Sequence, residues 1–188
     1  KINLLLPAEA DALVALQPQP TPLAPGSLFH SGFLHQAATN PERWALKFGN
    51  QRLTYGELDR QSSQLAHALR ARGIGRGQYV GLCVEREPLM IVAQLAVLKA
   101  GAAYVPLDPD FPQARLDYYA KDAALALMLT TSTVQVAPRN WRSDMTGRVL
   151  ELDIDTSWKS LPETPLAQDA QSPQDDDLAY VIYTSGST

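Results

Sequence analysis

Leu98-Lys99-Ala100-Gly101-Ala102-Ala103-Tyr104-Val105-Pro106-Leu107-Asp108 joins two different backbone habits in one short run. Upstream, Leu89 to Leu98 is apolar on nearly every side of a helix, with Gln94 as the interruption and Pro88 suited to the first turn. A helix apolar all round buries more than one face. Gly101 suits the end of that helix, and Ala102 to Leu107 continues as a short, strand-like run. The same alternation extends in both directions. Tyr79 to Val84 reads as a strand, Pro112 to Asp122 as a helix and Ala124 to Thr130 as a strand; Val149 to Ile154 is a weaker strand signal. Strands alternating with helices predict an α/β fold with substantial parallel sheet.

Toward the N-terminus, Ser27 to Thr39 reads as a helix that buries Phe29, Phe33 and Leu34 and stops at Asn40-Pro41. Trp44 to Phe48 and Gln51 to Thr54 form a hairpin pattern around Gly49-Asn50. Thr54-x-x-Glu57 is a capping-box pattern, and the helix after it stripes Leu58, Leu65, Ala66 and Leu69 before Gly73. Gln17 to Gly26 carries Pro18, Pro20, Pro22 and Pro25. Such spacing favours an extended polyproline-II linker of about 30 Å. Before it, Leu6, Ala10, Leu13 and Val14 fall at helical spacing. Lys1 is followed by an apolar run that Pro7, Glu9 and Asp11 break too early for a signal peptide.

Composition narrows the function classes. A chain of 188 residues suits one domain, or one domain plus a linker. The net charge of −4, with scattered basic residues, lacks the footprint of a nucleic-acid binder. Leu89 to Leu98 is far too short for a membrane span. One cysteine permits no internal disulfide, which fits a reducing, cytoplasmic setting.

Thr156 to Asp177 breaks the rhythm: it is polar and Pro-containing, ends in Asp175-Asp176-Asp177, and is expected to form a surface excursion. Then Leu178-Ala179-Tyr180-Val181-Ile182-Tyr183 reads as a buried strand that stops abruptly at Thr184-Ser185-Gly186-Ser187-Thr188. Small hydroxylated residues and a glycine after a strand can turn N–H and hydroxyl groups inward as an anion cradle. No Gly-x-x-x-x-Gly-Lys run is present, so the cradle is not of the Walker type. Other chemistry is weaker. Cys83, between Leu82 and Val84, is expected to be buried and inert. His30, His35 and His67 have no metal-ligand spacing, and Asp175 to Asp177 read as solvated charge. Asp108-Pro109-Asp110 reads as turn chemistry.

Three segments, in order, resemble the motifs of nonribosomal peptide synthetase adenylation domains, within the adenylate-forming superfamily. They are Leu53-Thr54-Tyr55-Gly56-Glu57-Leu58, the opening run Leu98 to Asp108, and Leu178 to Thr188. Val80 to Arg86 fits as well, and so does Ser27 to Pro41, except that Gly32 stands where a Leu is usual. The resemblance spans the chain apart from Pro138 to Asp177. It implies that residues 27–188 are the N-terminal part of the large subdomain, and that residues 1–26 are the tail of a condensation domain plus its linker.

The resemblance also implies a function. An amino acid or related carboxylic acid is activated with ATP and Mg²⁺ as an acyl-adenylate, then passed to phosphopantetheine on a peptidyl carrier domain. Thr184, Ser185, Gly186, Ser187 and Thr188 are the expected contacts to the ATP phosphates. No catalytic residue and no protein metal ligand is assigned. The implied partners are the carrier domain, an upstream condensation domain, the remainder of the adenylation domain and an MbtH-like protein. The family's loop continues with Gly, a variable residue, Pro, Lys and Gly, so these residues alone are expected to be inactive. The alternatives are an acyl-CoA or aryl-acid ligase of the same superfamily, and a non-catalytic docking piece with a degenerate loop.

Overall fold

A computed structural model describes residues 26–134 and 148–184, together with Leu6, Ala8, Glu9, Ala12, Ala15, Leu16 and Ala24. In order, its elements are α1 (Ser31–Thr39), β1 (Trp44–Phe48), β2 (Gln51–Thr54), α2 (Tyr55–Ala71), β3 (Tyr79–Cys83), α3 (Pro88–Lys99), β4 (Ala103–Pro106), α4 (Gln113–Asp122), β5 (Leu127–Thr130) and β6 (Val149–Glu151). A 3₁₀ turn, Ser157–Ser160, follows. The alternation expected from the sequence is borne out as an α/β architecture. Ala8, Glu9, Ala12 and Ala15 are helical, as the N-terminal spacing suggested. Ala10, Leu13, Val14 and the linker prolines Pro18, Pro20, Pro22 and Pro25 lie outside the described residues.

β1 and β2 form an antiparallel hairpin, whereas β4, β3, β5 and β6 lie side by side in that order as a parallel sheet. The register pairs Val80 with Tyr104 and Leu127, and Gly81 with Val105 and Met128. Side chains alternate across a strand, so these two rows face opposite ways. Val80, Leu82, Leu127, Leu129 and Leu150 pack with α2 and α3, while Val105 and Met128 pack with Leu116, Tyr119 and Ala120 of α4. Each face is thereby covered, which explains why β3 and β5 are buried almost throughout. Gly81 has a steric reason. A Cβ there would lie 2.6 Å from Leu125 Cδ1 and 2.8 Å from the Met128 thioether, so a side chain would force those two side chains to shift.

The capping box forms as expected: Glu57 N–H donates to Thr54 Oγ1 at 3.2 Å, and Thr54 N–H donates to the Glu57 carboxylate at 2.8 Å. α2 and α3 meet around Lys99. Its side chain is 9% exposed, and the ammonium lies 2.7 Å from Asp59 Oδ1 and Ser62 Oγ, 2.8 Å from the Asp59 carbonyl and 2.9 Å from Ser63 Oγ. Burial lowers its pKa, and the Asp59 partner partly opposes that shift. With its protons all directed at protein oxygens, Lys99 acts as a rivet between helices.

Three expectations are corrected or refined. The first helix starts at Ser31, not Ser27, because Leu28 N–H donates to Ser31 Oγ at 2.8 Å and holds a turn there. Phe29 is therefore outside the helix, 68% exposed, and meets Tyr180 edge-on instead of entering the core. Residues 156–177 form the surface excursion expected, mostly exposed, yet they are not loose. Trp158 is 2% exposed and donates its indole N–H to the Leu152 carbonyl, while Gln64 of α2 donates to the carbonyls of Lys159 and Leu161. Farther on, Gly101, at φ +87°, faces the Gln171 backbone in space where no Cβ would fit. Nor are the three aspartates all simply solvated. Asp177 accepts from both Nε and Nη2 of Arg76, and Asp175 accepts from Gly26 N–H. Among the described residues no helix is long and apolar enough to cross a membrane.

Candidate functional site

The run from Leu178 to Thr184 lies along the outer edge of β4. Tyr104 N–H donates to the Ala179 carbonyl at 3.1 Å, and Val181 N–H donates to the Tyr104 carbonyl at 3.0 Å. This makes a parallel bridge, not the fully buried strand expected. Leu178, Tyr180 and Ile182 stay exposed on one side, whereas Val181 and Tyr183 turn into the α4 layer. Period-2 alternation at a sheet edge produces that split even when nearly every residue is apolar. The segment runs parallel to β4 and so delivers Thr184 to the carboxyl end of the sheet. Ser185, Gly186, Ser187 and Thr188 lie outside the described residues.

That end of the sheet holds a cleft of about 710 Å³. Its walls are the residues following β3 (Val84 to Glu87), those closing and following β4 (Pro106 to Phe111), and Ile182 and Tyr183 of the edge segment. Chain topology explains its position. The connection after β3 covers one face of the sheet and the connection after β4 covers the other, so the two loops diverge and leave a crevice between them. Open α/β sheets bind ligands at such points. The opening run thus reaches the cleft wall through Pro106, Leu107 and Asp108. Asp108 also accepts the Asp110 N–H at 3.0 Å, the turn chemistry expected there.

The charge of the wall limits what it can hold. Among the described residues, Glu85, Glu87, Asp108 and Asp110 face a single lining cation, Arg86. A polyphosphate set against these walls would meet net repulsion.

One anchor was not foreseen. Tyr183 stacks on Tyr119 of α4 with ring centroids 4.0 Å apart and planes 15° apart, and donates its hydroxyl to Asp122 at 2.6 Å. Burial first, then the Asp122 carboxylate, push the Tyr183 pKa up, so it remains a donor. The available signal was spacing: Arg115, Tyr119 and Asp122 fall at i, i+4 and i+7 on one helix face.

The other residues weighed from the sequence fall as follows. Cys83 is buried, and burial followed by Asp108 and Glu85 pushes its thiol up to about 12, which removes it as a nucleophile at neutral pH. His30 is buried beside Lys99, and His67 pairs with the Thr164 carbonyl at 3.0 Å. Among the described residues no cluster of His, Cys, Asp or Glu could hold a metal ion.

A parallel sheet, a cleft at its switch point and an edge segment that leads into a hydroxyl-rich run at Thr184 define a nucleotide-binding α/β architecture, and family comparison agrees. Residues 33–188 match the family of AMP-binding enzymes, and the chain belongs to it. It is 42% identical over its whole length to one of the proteins that make up linear gramicidin synthase in Brevibacillus parabrevis, and spans 2% of that protein. It is 38% identical, again over its whole length, to tyrocidine synthase 2 of the same organism, and spans 5% of it. The nonribosomal peptide synthetase FmoA3 in its AMPPNP-bound form superposes with a TM-score of 0.78 at 30% identity, over 93% of this chain and 18% of that one. The resemblance to peptide synthetase adenylation domains is borne out.

Proposed function

We propose that this chain forms the front of an adenylation site in a nonribosomal peptide synthetase. One observation carries the reading: the edge segment 178–184 brings Thr184, where the hydroxyl-rich loop begins, to the carboxyl end of the sheet beside the switch-point cleft. The likeness over the full length to gramicidin and tyrocidine synthases supports it.

In this reading the carboxylate of an amino acid attacks the α-phosphorus of ATP. A carboxyl-oxygen–phosphorus bond forms, the bond from the α-phosphorus to the bridging oxygen breaks, and pyrophosphate leaves with the electron pair. The thiol of a carrier domain's phosphopantetheine then displaces AMP from the acyl carbon and loses its proton. The chain's contribution is to hold phosphate oxygens with the N–H groups and hydroxyls of Thr184, Ser185, Gly186, Ser187 and Thr188. Donors fixed before reaction stabilise charge that develops on the departing pyrophosphate. Mg²⁺ fits the same loop: it prefers phosphate oxygens and water with one or two protein oxygens, so no cage of carboxylates is required. When bound it would neutralise phosphate charge.

Residues 1–26 are proposed as the tail and linker of an upstream condensation domain. The carrier domain, the rest of the adenylation domain and an MbtH-like protein are the proposed partners, in the cytoplasm. Amino-acid-dependent exchange of labelled pyrophosphate into ATP, by the polypeptide in which this chain stands, tests the reading. Exchange with one or a few amino acids is expected. Exchange only with aryl or fatty acids, with release of acyl-CoA, would assign a related ligase. No exchange with any acid would overturn the enzymatic reading.

A further inference from the structure

We propose that Tyr183 is a positioning residue: by clamping the edge segment to α4 through Tyr119 and Asp122, it sets where Thr184, the first residue of the hydroxyl-rich run, meets the nucleotide. The inference rests on the adenylation reading above and deepens it.

The backbone ties between this segment and β4 involve Ala179 and Val181. Two residues after Val181, the Tyr183 side chain supplies the attachment, and Thr184 follows directly. The attachment has two points. The ring stack at 4.0 Å and 15° fixes the plane of the side chain, and the 2.6 Å bond to Asp122 fixes its rotation within that plane. The surface receiving it is itself braced. Tyr119 is 8% exposed, its hydroxyl accepts from Arg115 Nε at 2.7 Å, and the Arg115 guanidinium lies 4.2 Å from the centre of the Phe111 ring. A loop that must meet phosphate oxygens within about 0.5 Å needs such a support just ahead of it. Both Phe111 and Tyr119 also line the cleft, so this brace and the cleft wall are one structure.

A residue that only packs would act on stability and on both substrates alike; a loop-positioning residue acts on the nucleotide. The test compares wild type, Tyr183→Phe, Tyr183→Leu, Asp122→Ala and the Tyr183→Phe/Asp122→Ala pair in the complete polypeptide. Pyrophosphate exchange and amide hydrogen exchange over residues 178–188 are the two readouts. Tyr183→Phe keeps the stack and loses the hydroxyl, and like Asp122→Ala should raise KM for ATP about threefold, the bond being solvent-exposed. The pair should cost no more than either single change, because both remove the same bond. Tyr183→Leu also loses the stack and should raise KM for ATP about tenfold or more, with faster amide exchange in the loop. The amino-acid KM and the melting temperature should hold in every variant. Unchanged KM for ATP and unchanged loop exchange in Tyr183→Leu would overturn the inference, as would a loss shared equally by both substrates and tracked by melting temperature. Failure of the adenylation reading looks different: wild type itself would give no pyrophosphate exchange, and the clamp would then stand or fall on loop exchange alone.

Discussion

Acidification from pH 7 to 5 should weaken the packing of α1, and His30 is the reason. Its side chain lies at the start of α1, 5% exposed, lining a cavity of about 100 Å³ with Lys99, Asp59 and Ser63. Burial first and the Lys99 charge second lower its pKa from 6.5 to about 4. The folded chain therefore holds this imidazole neutral over a range where the unfolded chain protonates it. Wherever the unfolded state binds more protons, stability falls as pH falls. The contribution is complete above 6.5, declines below it, and is exhausted below about 4. At 1.36 kcal/mol per pKa unit, the full interval is about 3 kcal/mol, of which about 2 is lost by pH 5. Asp153, Asp155, Asp169 and Asp177 are held below the ordinary carboxylate range by Ser132, Ser157, Arg70 and Arg76, respectively. Their stabilisation is present above the unfolded value of 3.8 and is lost below it, so it does not enter the window from pH 7 to 5. Hydrogen exchange of α1 and α3 amides, corrected for the intrinsic pH dependence, measures the local opening free energy in the complete polypeptide. Wild type should lose about 2 kcal/mol between pH 7 and 5, and His30→Leu should show little slope there. An equal slope in both proteins would refute the assignment.

Two further substitutions test the packing around the opening run. Lys99→Met leaves the partly buried Asp59 carboxylate without its cation and should destabilise the α2–α3 pair by about 3 kcal/mol; Lys99→Met/Asp59→Leu should cost less than the sum of its singles, both read by thermal unfolding. Gly101→Ala places a Cβ against the Gln171 carbonyl at φ +87°, and should cost about 2–4 kcal/mol while loosening residues 169–177 in limited proteolysis. Normal stability in that variant would mean the 169–177 segment does not rest on Gly101.

What the sequence disclosed was local. The α/β alternation was legible because each boundary carries its own punctuation: Thr54 and Glu57 open α2, Pro88 opens α3 and Gly101 closes it. Hydrophobic period then reports which face of each element is buried. What it withheld were the partners of those faces. Trp158 stood in a polar, proline-bearing stretch with no period around it, and Gln64 meets Lys159 across a separation of 95 residues. Tyr183 and Asp122 are 61 apart, and nothing near either names the other. The misplaced start of α1 has a similar cause. The helix begins at Ser31, after His30 as N-cap, because Leu28 N–H bonds to Ser31 and Phe29 meets Tyr180. For the candidate site, the hydroxyl-rich run was expected from its residues, of which Thr184 alone is among the described ones, whereas the cleft beside it depends on which way two crossovers turn.

The run Leu98 to Asp108 is informative because of how many separate demands meet there. Lys99 must satisfy four oxygens of α2, Gly101 must admit the Gln171 backbone, and Ala103 to Pro106 must fit between β3 and the edge segment. Tyr104 must offer both its N–H and its carbonyl to that edge segment, and Pro106 to Asp108 must turn away to open the cleft. Each demand uses a different property: a long cation, a missing Cβ, an edge with free donors, a proline where the ladder ends. A helix–glycine–strand unit needs none of these in combination merely to fold. The combination suits a strand that positions a following segment leading into the proposed phosphate loop. The run that decides the fold therefore also registers the site, by fixing the edge on which Tyr183 and Thr184 are carried to the cleft.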